Sequence, residues 1–184
     1  MSLESSQLRL LSNKYRELNA ELHVREPTYG TTGRKYVDEV RRLARRFRAR
    51  SILDYGCGKK DLWKALHSEF DIRNFDPAIP GLDIQPEPAD FVACIDVLEH
   101  VEPEYLTIVL ADLQRLTLRG GFFTIATRPA QKQLADGTNP HRIIEGSEWW
   151  RVQLTRYFEI ESVTSLFPDN GLQVIATPTV RICL

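Results

Sequence analysis

The sequence lacks any long hydrophobic run. None of its apolar stretches approaches the roughly 20 residues that a membrane-spanning helix needs, and the amino terminus, Met1-Ser2-Leu3-Glu4, has no signal-peptide core. A large net charge is also lacking, because 24 Lys and Arg residues oppose 25 Asp and Glu residues and leave a formal charge of only −1. No overall electrostatic field therefore selects a polyanion. These absences predict a soluble, cytoplasmic protein that does not bind membranes.

Cysteine is scarce, with only Cys57, Cys94 and Cys183 in the chain. Their odd number, wide spacing and apolar or glycine-rich contexts favour reduced thiols over a disulfide framework. Internal repeats and low-complexity segments are absent as well, which argues against a solenoid. What remains is 184 residues with 42 % hydrophobic content, enough for one domain with a core. We expect a single domain over residues 1–184, with an amino-terminal helix and a lid loop in about the first 33.

The clearest motif is Ser-Ile-Leu-Asp-Tyr-Gly-Cys-Gly-Lys-Lys-Asp at residues 51–61. The pattern predicts the end of a short buried strand, a tight turn at Gly56 and Gly58, and a helix that starts at Asp61. Glycines without a Cβ let a ligand lie against the backbone, and the amides at the start of the helix face that ligand. We call the turn at Gly56 and Gly58, between the strand and the helix, the glycine elbow. Its geometry predicts a bound small molecule.

The acids around the glycine elbow indicate which kind of ligand it holds. Asp76 follows the second predicted strand, where a carboxylate can accept hydrogen bonds from a ribose diol. A dinucleotide fingerprint would require Gly or Ala where this chain has Asp61, and a carboxylate there would face a pyrophosphate. Asp54 ends the first strand and suits a cation better than a phosphate. The residues therefore predict a nucleoside-type ligand with positive charge and without phosphate.

The run Asp54-x-Gly56-x-Gly58, followed by Asp76 and by Asp-Val-Leu-Glu-His-Val at 96–101, resembles the class I S-adenosylmethionine (SAM)-dependent methyltransferases. The resemblance extends over about residues 51–127 and continues more loosely to the carboxyl terminus. It implies an α/β, three-layer Rossmann-like fold with a mostly parallel sheet and an antiparallel last strand. SAM carries a sulfonium, an ammonium and a ribose but no phosphate, in agreement with the acids. The chain departs from the family at Lys60, where a third glycine is usual.

The resemblance also implies which residues hold SAM and its demethylated product, S-adenosylhomocysteine (SAH). Asp96 would lie near the methionine part, and Asp83 near the adenine amino group; the alternative for Asp83 is a turn residue that binds its own backbone. Tyr29 and Gly30 are lid candidates, unless that segment is a plain linker. The predicted cofactor-binding residues are Asp54, Tyr55, Gly56, Cys57, Gly58, Asp76, Pro77, Asp83 and Asp96.

Hydrophobic periodicity places helices before the elbow and after the third buried strand. A helix from about Leu3 to Leu22 has an apolar stripe that either the domain or a second subunit must cover, so a homodimer through this helix is possible. A helix near Arg34–Arg48 has an arginine-rich face, which is either solvated or contacts nucleic acid or an acidic partner. Glu104–Thr117 forms another helix, a turn follows at Gly120-Gly121, and Ser147 caps a short helix.

The segment between Asp76 and Asp90 is too short for a helix plus a strand, and it contains four prolines. We therefore expect the third crossover helix to be shortened or missing, and the third strand, around Leu82–Ile84, to be vestigial. The chain closes with an antiparallel hairpin from Tyr157 to Thr177.

A long irregular loop from Arg128 to Ile144 is expected to build the substrate pocket. The catalytic candidates are His141 as first choice for a general base, His100 as second, and Glu99; a purely structural histidine is the alternative for each imidazole. Asp96, Glu99, His100 and His141 also resemble the ligand set of metal-assisted O-methyltransferases, but Glu-His-Val is common in metal-free enzymes, so no metal is predicted.

We expect a methyltransferase that acts on a hydroxyl of a small molecule, sugar or glycan, because the domain is minimal. The alternatives are methylation of RNA or another nucleic acid and a non-catalytic SAM-fold partner protein. A nucleic-acid methyltransferase would show a steep loss of RNA binding as the salt concentration rises. A non-catalytic partner protein would have a cofactor pocket that stays empty.

Overall fold

The computed structural model describes residues 8–166 and 170–179. One six-stranded sheet, in the order β2-β1-β3-β4-β6-β5, lies between two layers of helices. The elements, in chain order, are α1 (Asn13–Arg25), α2 (Val37–Arg46), β1 (Ser51–Tyr55), α3 (Asp61–Leu66), β2 (Asp71–Phe75), β3 (Ala89–Ile95), α4 (Leu106–Leu116), β4 (Thr117–Ala126), α5 (Ser147–Leu154), β5 (Phe158–Leu166) and β6 (Gly171–Pro178). No helix within these residues combines the length and the hydrophobicity that a membrane span requires.

Alternating side chains of the buried strands build two separate cores. In β3, Phe91 and Ala93 pack with α2 and α3 on one face, and Val92 and Cys94 pack with α4 and α5 on the other. Side chains alternate between faces because the strand repeat is two residues. A strand that is apolar throughout is thus covered on both sides, which is the three-layer arrangement that the sequence predicted.

Strand direction also agrees with the prediction. β2, β1, β3 and β4 are parallel neighbours, and β6 runs antiparallel to both β4 and β5. The carboxyl ends of the four parallel strands therefore lie at one edge of the sheet, where ligands of such folds bind. A Rossmann-like sheet with an antiparallel last strand is confirmed.

The predicted loss of the third crossover helix is confirmed. No helix or strand lies between Phe75 and Ala89, and the third strand expected near Leu82 forms no ladder. The segment is held instead by single hydrogen bonds, including Asp76 N to Leu82 O at 2.8 Å and Gln85 Nε2 to Asp112 Oδ1 at 3.2 Å.

The first helix begins later than predicted. Residues 8–12 are not helical, and α1 starts at Asn13; residues 1–7 lie outside the described part of the chain. Ser12 caps the start of α1, because its Oγ accepts the N–H of Tyr15 at 3.1 Å. Its own N–H donates to Glu102 Oε2 at 2.7 Å. The domain itself covers the apolar stripe, since Tyr15 and Leu22 are buried within this chain.

Three other boundaries differ from the predictions. The helix expected from Arg34 is a 3₁₀ segment at Thr32–Tyr36 followed by α2, and Pro103–Tyr105 is likewise a 3₁₀ segment before α4. The turn predicted at Gly120 is wrong, because β4 runs through it. Gly120 suits this strand position because a Cβ there would lie 2.7 Å from the ring of Phe47.

Ser147 does not cap α5. The residue is the first of the helix, and Gly146 occupies the cap position without a side-chain hydrogen bond. The last predicted hairpin is present as β5 and β6, except that residues 167–169 of its turn lie outside the described chain.

The arginine-rich face of α2 is occupied by acids of the same chain. Arg41 and Arg45 both contact Glu69. Arg42 contacts Glu39, and Arg46 contacts Glu161. Because these guanidinium groups already have carboxylate partners, the face is a solvated ion-pair network and gives no support to a nucleic-acid surface.

Candidate functional site

A cavity of about 340 Å³ lies at the carboxyl edge of the parallel strands. Its floor is formed by the glycine elbow after β1, by Asp76 after β2, and by Asp96 after β3. Its walls come from α1, from the segment at residues 28–35 and from the loop after β4. The volume falls within the range of about 300–1,000 Å³ that is typical of small-molecule sites.

The glycine elbow has the backbone shape that the sequence predicted. Gly56 and Gly58 have φ of +78° and +47°, a region where a Cβ is disfavoured. Lys60 occupies the place of the family's third glycine and takes the same left-handed region, with φ of +59°. The departure in sequence therefore leaves the turn geometry intact.

The lid segment sits directly on the elbow. A Cβ at Gly58 would lie 2.5 Å from Gly30 O, and Lys59 N donates to that carbonyl at 2.9 Å. Tyr29 lines the same cavity, and its hydroxyl donates to Asn19 Oδ1 of α1 at 2.8 Å. Tyr29 and Gly30 thus lie against the cavity, and their role as a lid stays a prediction.

Two buried carboxyl groups lie under the elbow. Burial, reinforced by the nearby charges of Asp76 and Asp61, raises the pKa of Asp54 to about 8. Burial also raises the pKa of Asp76 to about 6, although N–H groups of Ala78 and Gly58 oppose the rise by donating to its carboxylate at 3.1 Å. Placing acids in this state costs free energy that a positively charged or hydrogen-bonding ligand would offset.

Asp96 begins the segment after β3 in a left-handed conformation, with φ of +52°. Its N–H donates to Thr124 O at 2.9 Å, and its Oδ1 accepts the Thr124 hydroxyl at 2.7 Å. These contacts tie Asp96, which lines the cavity, to the neighbouring strand β4. A fixed carboxylate at this edge suits a cationic group.

Glu99, His100 and His141 come together, although the sequence separates His141 from the other two. One ligand atom from each residue lies within 4.8 Å of the others, and the two imidazole rings are 4.6 Å apart in an edge-to-face arrangement. Glu99 is fully buried, with Oε1 accepting the N–H of Ala126 at 2.9 Å and Oε2 without a partner among the described residues.

Both histidines have a backbone carbonyl at Nδ1. His141 Nδ1 is 2.6 Å from Arg128 O, and His100 Nδ1 is 3.1 Å from Pro140 O. A carbonyl can only accept, so each Nδ1 carries the proton and each Nε2 keeps its lone pair. Burial lowers the pKa of His100 to about 3 and lowers the pKa of His141. Both rings are therefore neutral at neutral pH.

Burial, aided by the charge of Asp96, raises the pKa of Glu99 well above its ordinary value. The cluster of Glu99, His100 and His141 could thus hold a divalent ion, because neutral imidazole nitrogens and a carboxylate oxygen are suitable ligands. A bound cation would favour the ionised carboxylate of Glu99.

Other predicted cofactor residues take different positions. Pro77 lines the cavity with Asp76. Tyr55 and Cys57 also line the cavity. The Tyr55 hydroxyl, however, points into the core and donates to Asp112 Oδ2 at 3.2 Å. Cys57 is buried, and burial raises the pKa of its thiol. Asp83 does not line the cavity, and its Oδ1 accepts the N–H of Gly81 at 3.1 Å, which is the turn contact that the sequence left open.

Sequence reasoning missed the wall that α1 contributes. Tyr15, Asn19 and His23 line the cavity, and burial lowers the pKa of His23 to about 4. Tyr15 Oη donates to Pro140 O at 2.5 Å. The apolar stripe of α1 signalled that these positions face something, but a periodic pattern does not distinguish a core from a cavity.

A family model described as a methyltransferase domain matches residues 29–177. No curated protein sequence is significantly similar to the chain.

Solved structures share the fold at low identity. The 1,6-didemethyltoxoflavin-N1-methyltransferase of Burkholderia thailandensis, with bound 1,6-didemethyltoxoflavin and SAH, is 15 % identical with a TM-score of 0.65, over 98 % of this chain and 99 % of that one. The N-methyltransferase NodS of Bradyrhizobium japonicum WM9, in complex with SAH, is 14 % identical with a TM-score of 0.62, over 92 % and 100 %.

The mitomycin 7-O-methyltransferase MmcR is 13 % identical with a TM-score of 0.56, over 86 % of this chain and 60 % of that one. Structural neighbours therefore include both N- and O-methyltransferases. From the glycine elbow, the strand order and the extent of the family match, the chain belongs to the methyltransferase-domain family, with the Rossmann-like fold of the class I SAM-dependent methyltransferases.

Proposed function

We propose that this protein transfers a methyl group from SAM to a hydroxyl of a small molecule, sugar or glycan. The observation that carries the proposal is the placement of His141 in the cavity wall, with Nδ1 engaged by Arg128 O and Nε2 free to accept a proton. SAM supplies an electrophilic methyl group on a sulfonium. The protein then has to hold the donor, align the acceptor and exclude water.

The cavity floor offers the negative charge and the hydrogen-bond acceptors that SAM requires. Asp96 offers negative charge to the ammonium and the sulfonium, and Asp76 offers acceptors to the ribose hydroxyls. A cationic ligand beside the buried Asp54 would favour loss of the proton that Asp54 otherwise keeps. The elbow amides and the lid at Gly30 enclose this floor. The SAH bound in two of the neighbouring methyltransferase structures supports this proposal for the cofactor.

His141 is the better general base of the two histidines. His100, with a pKa of about 3, is a poor proton acceptor near neutral pH. In the proposed step, His141 Nε2 would remove the acceptor's hydroxyl proton as the oxygen attacks the methyl carbon; the bond between this carbon and the sulfonium sulfur would break, and neutral SAH would leave. His100 and Glu99 fix the shape of the site around it.

The test combines binding and turnover. We expect SAH to bind the wild-type protein with micromolar affinity in calorimetric titration, and Asp96→Asn to weaken this binding while Asp71→Asn, an exposed control, leaves it unchanged. Asparagine tolerates the left-handed backbone at position 96. Failure of the wild type to bind either SAM or SAH would move the assignment to a non-catalytic partner protein.

His141→Asn isolates the base. Asparagine keeps a donor for Arg128 O but removes Nε2, so kcat should fall by a factor of about 10² to 10⁴ while SAH affinity is retained. Turnover is measured with hydroxyl and amine acceptors in parallel, because the structural neighbours include both classes. Transfer to amines alone would refute the O-methyltransferase assignment.

A metal-assisted form of the same reaction is a second candidate. The observations that favour it are the unpartnered Oε2 of the buried Glu99 and the clustering of one ligand atom each from Glu99, His100 and His141 within 4.8 Å. A divalent ion held there would lower the pKa of a bound acceptor hydroxyl, and His141 would then be a ligand rather than a base.

Chelation separates the two forms. If the metal operates, treatment with a chelator abolishes turnover, Mg²⁺, Mn²⁺ or Zn²⁺ restores it, and Glu99→Gln prevents the restoration. Turnover that is unaffected by chelation, in protein shown by elemental analysis to be metal-free, leaves His141 as the base.

A further inference from the structure

Charge is unevenly distributed along the cavity. Within residues 8–166 and 170–179, the four acids that line it, Asp54, Asp76, Asp96 and Glu99, follow the parallel strands and form the floor. The three Lys and Arg residues of the same lining, Lys35, Arg128 and Lys132, come from the segments that form the mouth.

One of the three cations has a structural role. Lys132 Nζ donates to Thr28 Oγ1 at 2.6 Å and lies 3.2 Å from Glu26 Oε2, so it fastens the loop after β4 to the lid. Arg25 and Lys14 fasten the same loop through Gln133 O at 2.6 Å and Asp136 Oδ2 at 3.0 Å. Lys132, Arg25 and Lys14 therefore already have partners within the chain.

Arg128 and Lys35 differ from them. Within the described residues, neither side chain has a hydrogen bond or an ion pair, although both line the cavity. The backbone of Arg128 also contacts the proposed base, since its carbonyl accepts from His141 Nδ1. A residue with an unpaired cation thus lines the cavity next to His141 along its wall.

On the basis of the proposed function, we propose that the methyl acceptor carries an oxyanion, a carboxylate or a phosphate, which Arg128 and Lys35 bind at the mouth of the cavity. A guanidinium presents a planar fork of donors that matches either group, and a lysine ammonium adds a second point charge. The carboxylates of Asp76 and Asp96 on the floor repel the same anion, so an anionic acceptor enters with its charged group outward and its neutral hydroxyl toward His141.

The matched probes are benzoate and benzamide, which have similar shape and differ in charge, together with phenyl phosphate. Binding to the SAH-loaded protein is followed by protein-observed NMR titration. We expect benzoate and phenyl phosphate to shift the signals of residues at the mouth and to bind about tenfold more tightly than benzamide. Arg128→Gln and Lys35→Met should each reduce this preference, whereas Arg156→Gln removes a surface cation outside the cavity and should leave it unchanged.

Two results would overturn the inference. One is equal binding, or no binding, of the anions and benzamide to protein that still binds SAH. The other is a loss of SAH affinity in Arg128→Gln and Lys35→Met without any effect on the anion probes, which would assign the cations to the carboxylate of the cofactor. Failure of the proposed function is seen separately, as absence of SAH binding to the wild type.

Discussion

The contact between the lid and the glycine elbow predicts the effect of adding one methyl group at Gly58. Alanine at this φ of +47° costs about 1 kcal/mol relative to glycine. Its Cβ would also lie 2.5 Å from Gly30 O, which is backbone and has to move. That movement breaks the 2.9 Å hydrogen bond from Lys59 N, at a further cost of about 1 kcal/mol. Gly58→Ala should therefore lower the free energy of unfolding by about 2 kcal/mol.

Gly137→Ala is the matched control. Gly137 has φ of +79°, and a Cβ added there would meet nothing within 4 Å, so alanine adds backbone strain of about 1 kcal/mol and no collision. At about 2–4 °C per kcal/mol for a chain of this size, Tm should fall by about 4–8 °C for Gly58→Ala and about half as much for the control. SAH affinity should fall at least about tenfold for Gly58→Ala only. Equal Tm losses with unchanged SAH affinity would refute the described seating of the lid.

Three further outcomes are expected. The pKa of Asp54 is about 8 in the folded protein against an ordinary 3.8, so the folded protein keeps a proton that the unfolded chain releases between these values, and the free energy of unfolding falls as pH rises across this window. Asp54→Asn should flatten the dependence of the free energy of unfolding on pH in denaturation series from pH 5 to 8. An unchanged dependence would contradict the assignment. Ser12→Ala removes the cap of Tyr15 N and a hydrogen bond to Glu102, and should cost about 1–2 kcal/mol of stability; a loss below about 0.5 kcal/mol would argue against this anchor. Lys60→Gly should raise stability by up to about 1 kcal/mol in thermal melts, and a lower Tm would mean that the lysine stem stabilises the turn.

The parts of the fold that could be predicted are those encoded locally. The glycine elbow was predictable because positive φ at two positions leaves few residues other than glycine, and the buried strand before Asp96 was predictable from its uninterrupted apolar run. The missing crossover helix followed from counting residues between Asp76 and Asp90, because too few remain for a helix and a strand.

The rest depends on contacts between distant segments. The start of α1 is set by Glu102, 90 positions from Ser12 along the chain, and the meeting of His100 with the loop after β4 is set by Pro140, 40 positions away. A sequence pattern carries no record of such partners. His141 was selected as a candidate general base from its residue type and loop position. Its hydrogen bond to Arg128 O, which fixes the tautomer, could be seen only in the fold.

One carbonyl links the wall formed by α1 to the cluster of titratable residues. Pro140 O accepts the Tyr15 hydroxyl at 2.5 Å and faces His100 Nδ1 at 3.1 Å, and the Tyr29 hydroxyl of the lid lies 3.3 Å from the same nitrogen. The orientation of His100 therefore depends on α1 and the lid being in place. Because these segments also enclose the elbow, the arrangement that covers the cavity is the same one that orients His100 in its wall. The amino-terminal helix is thus part of the cavity wall, and a second subunit is not needed to explain its apolar stripe.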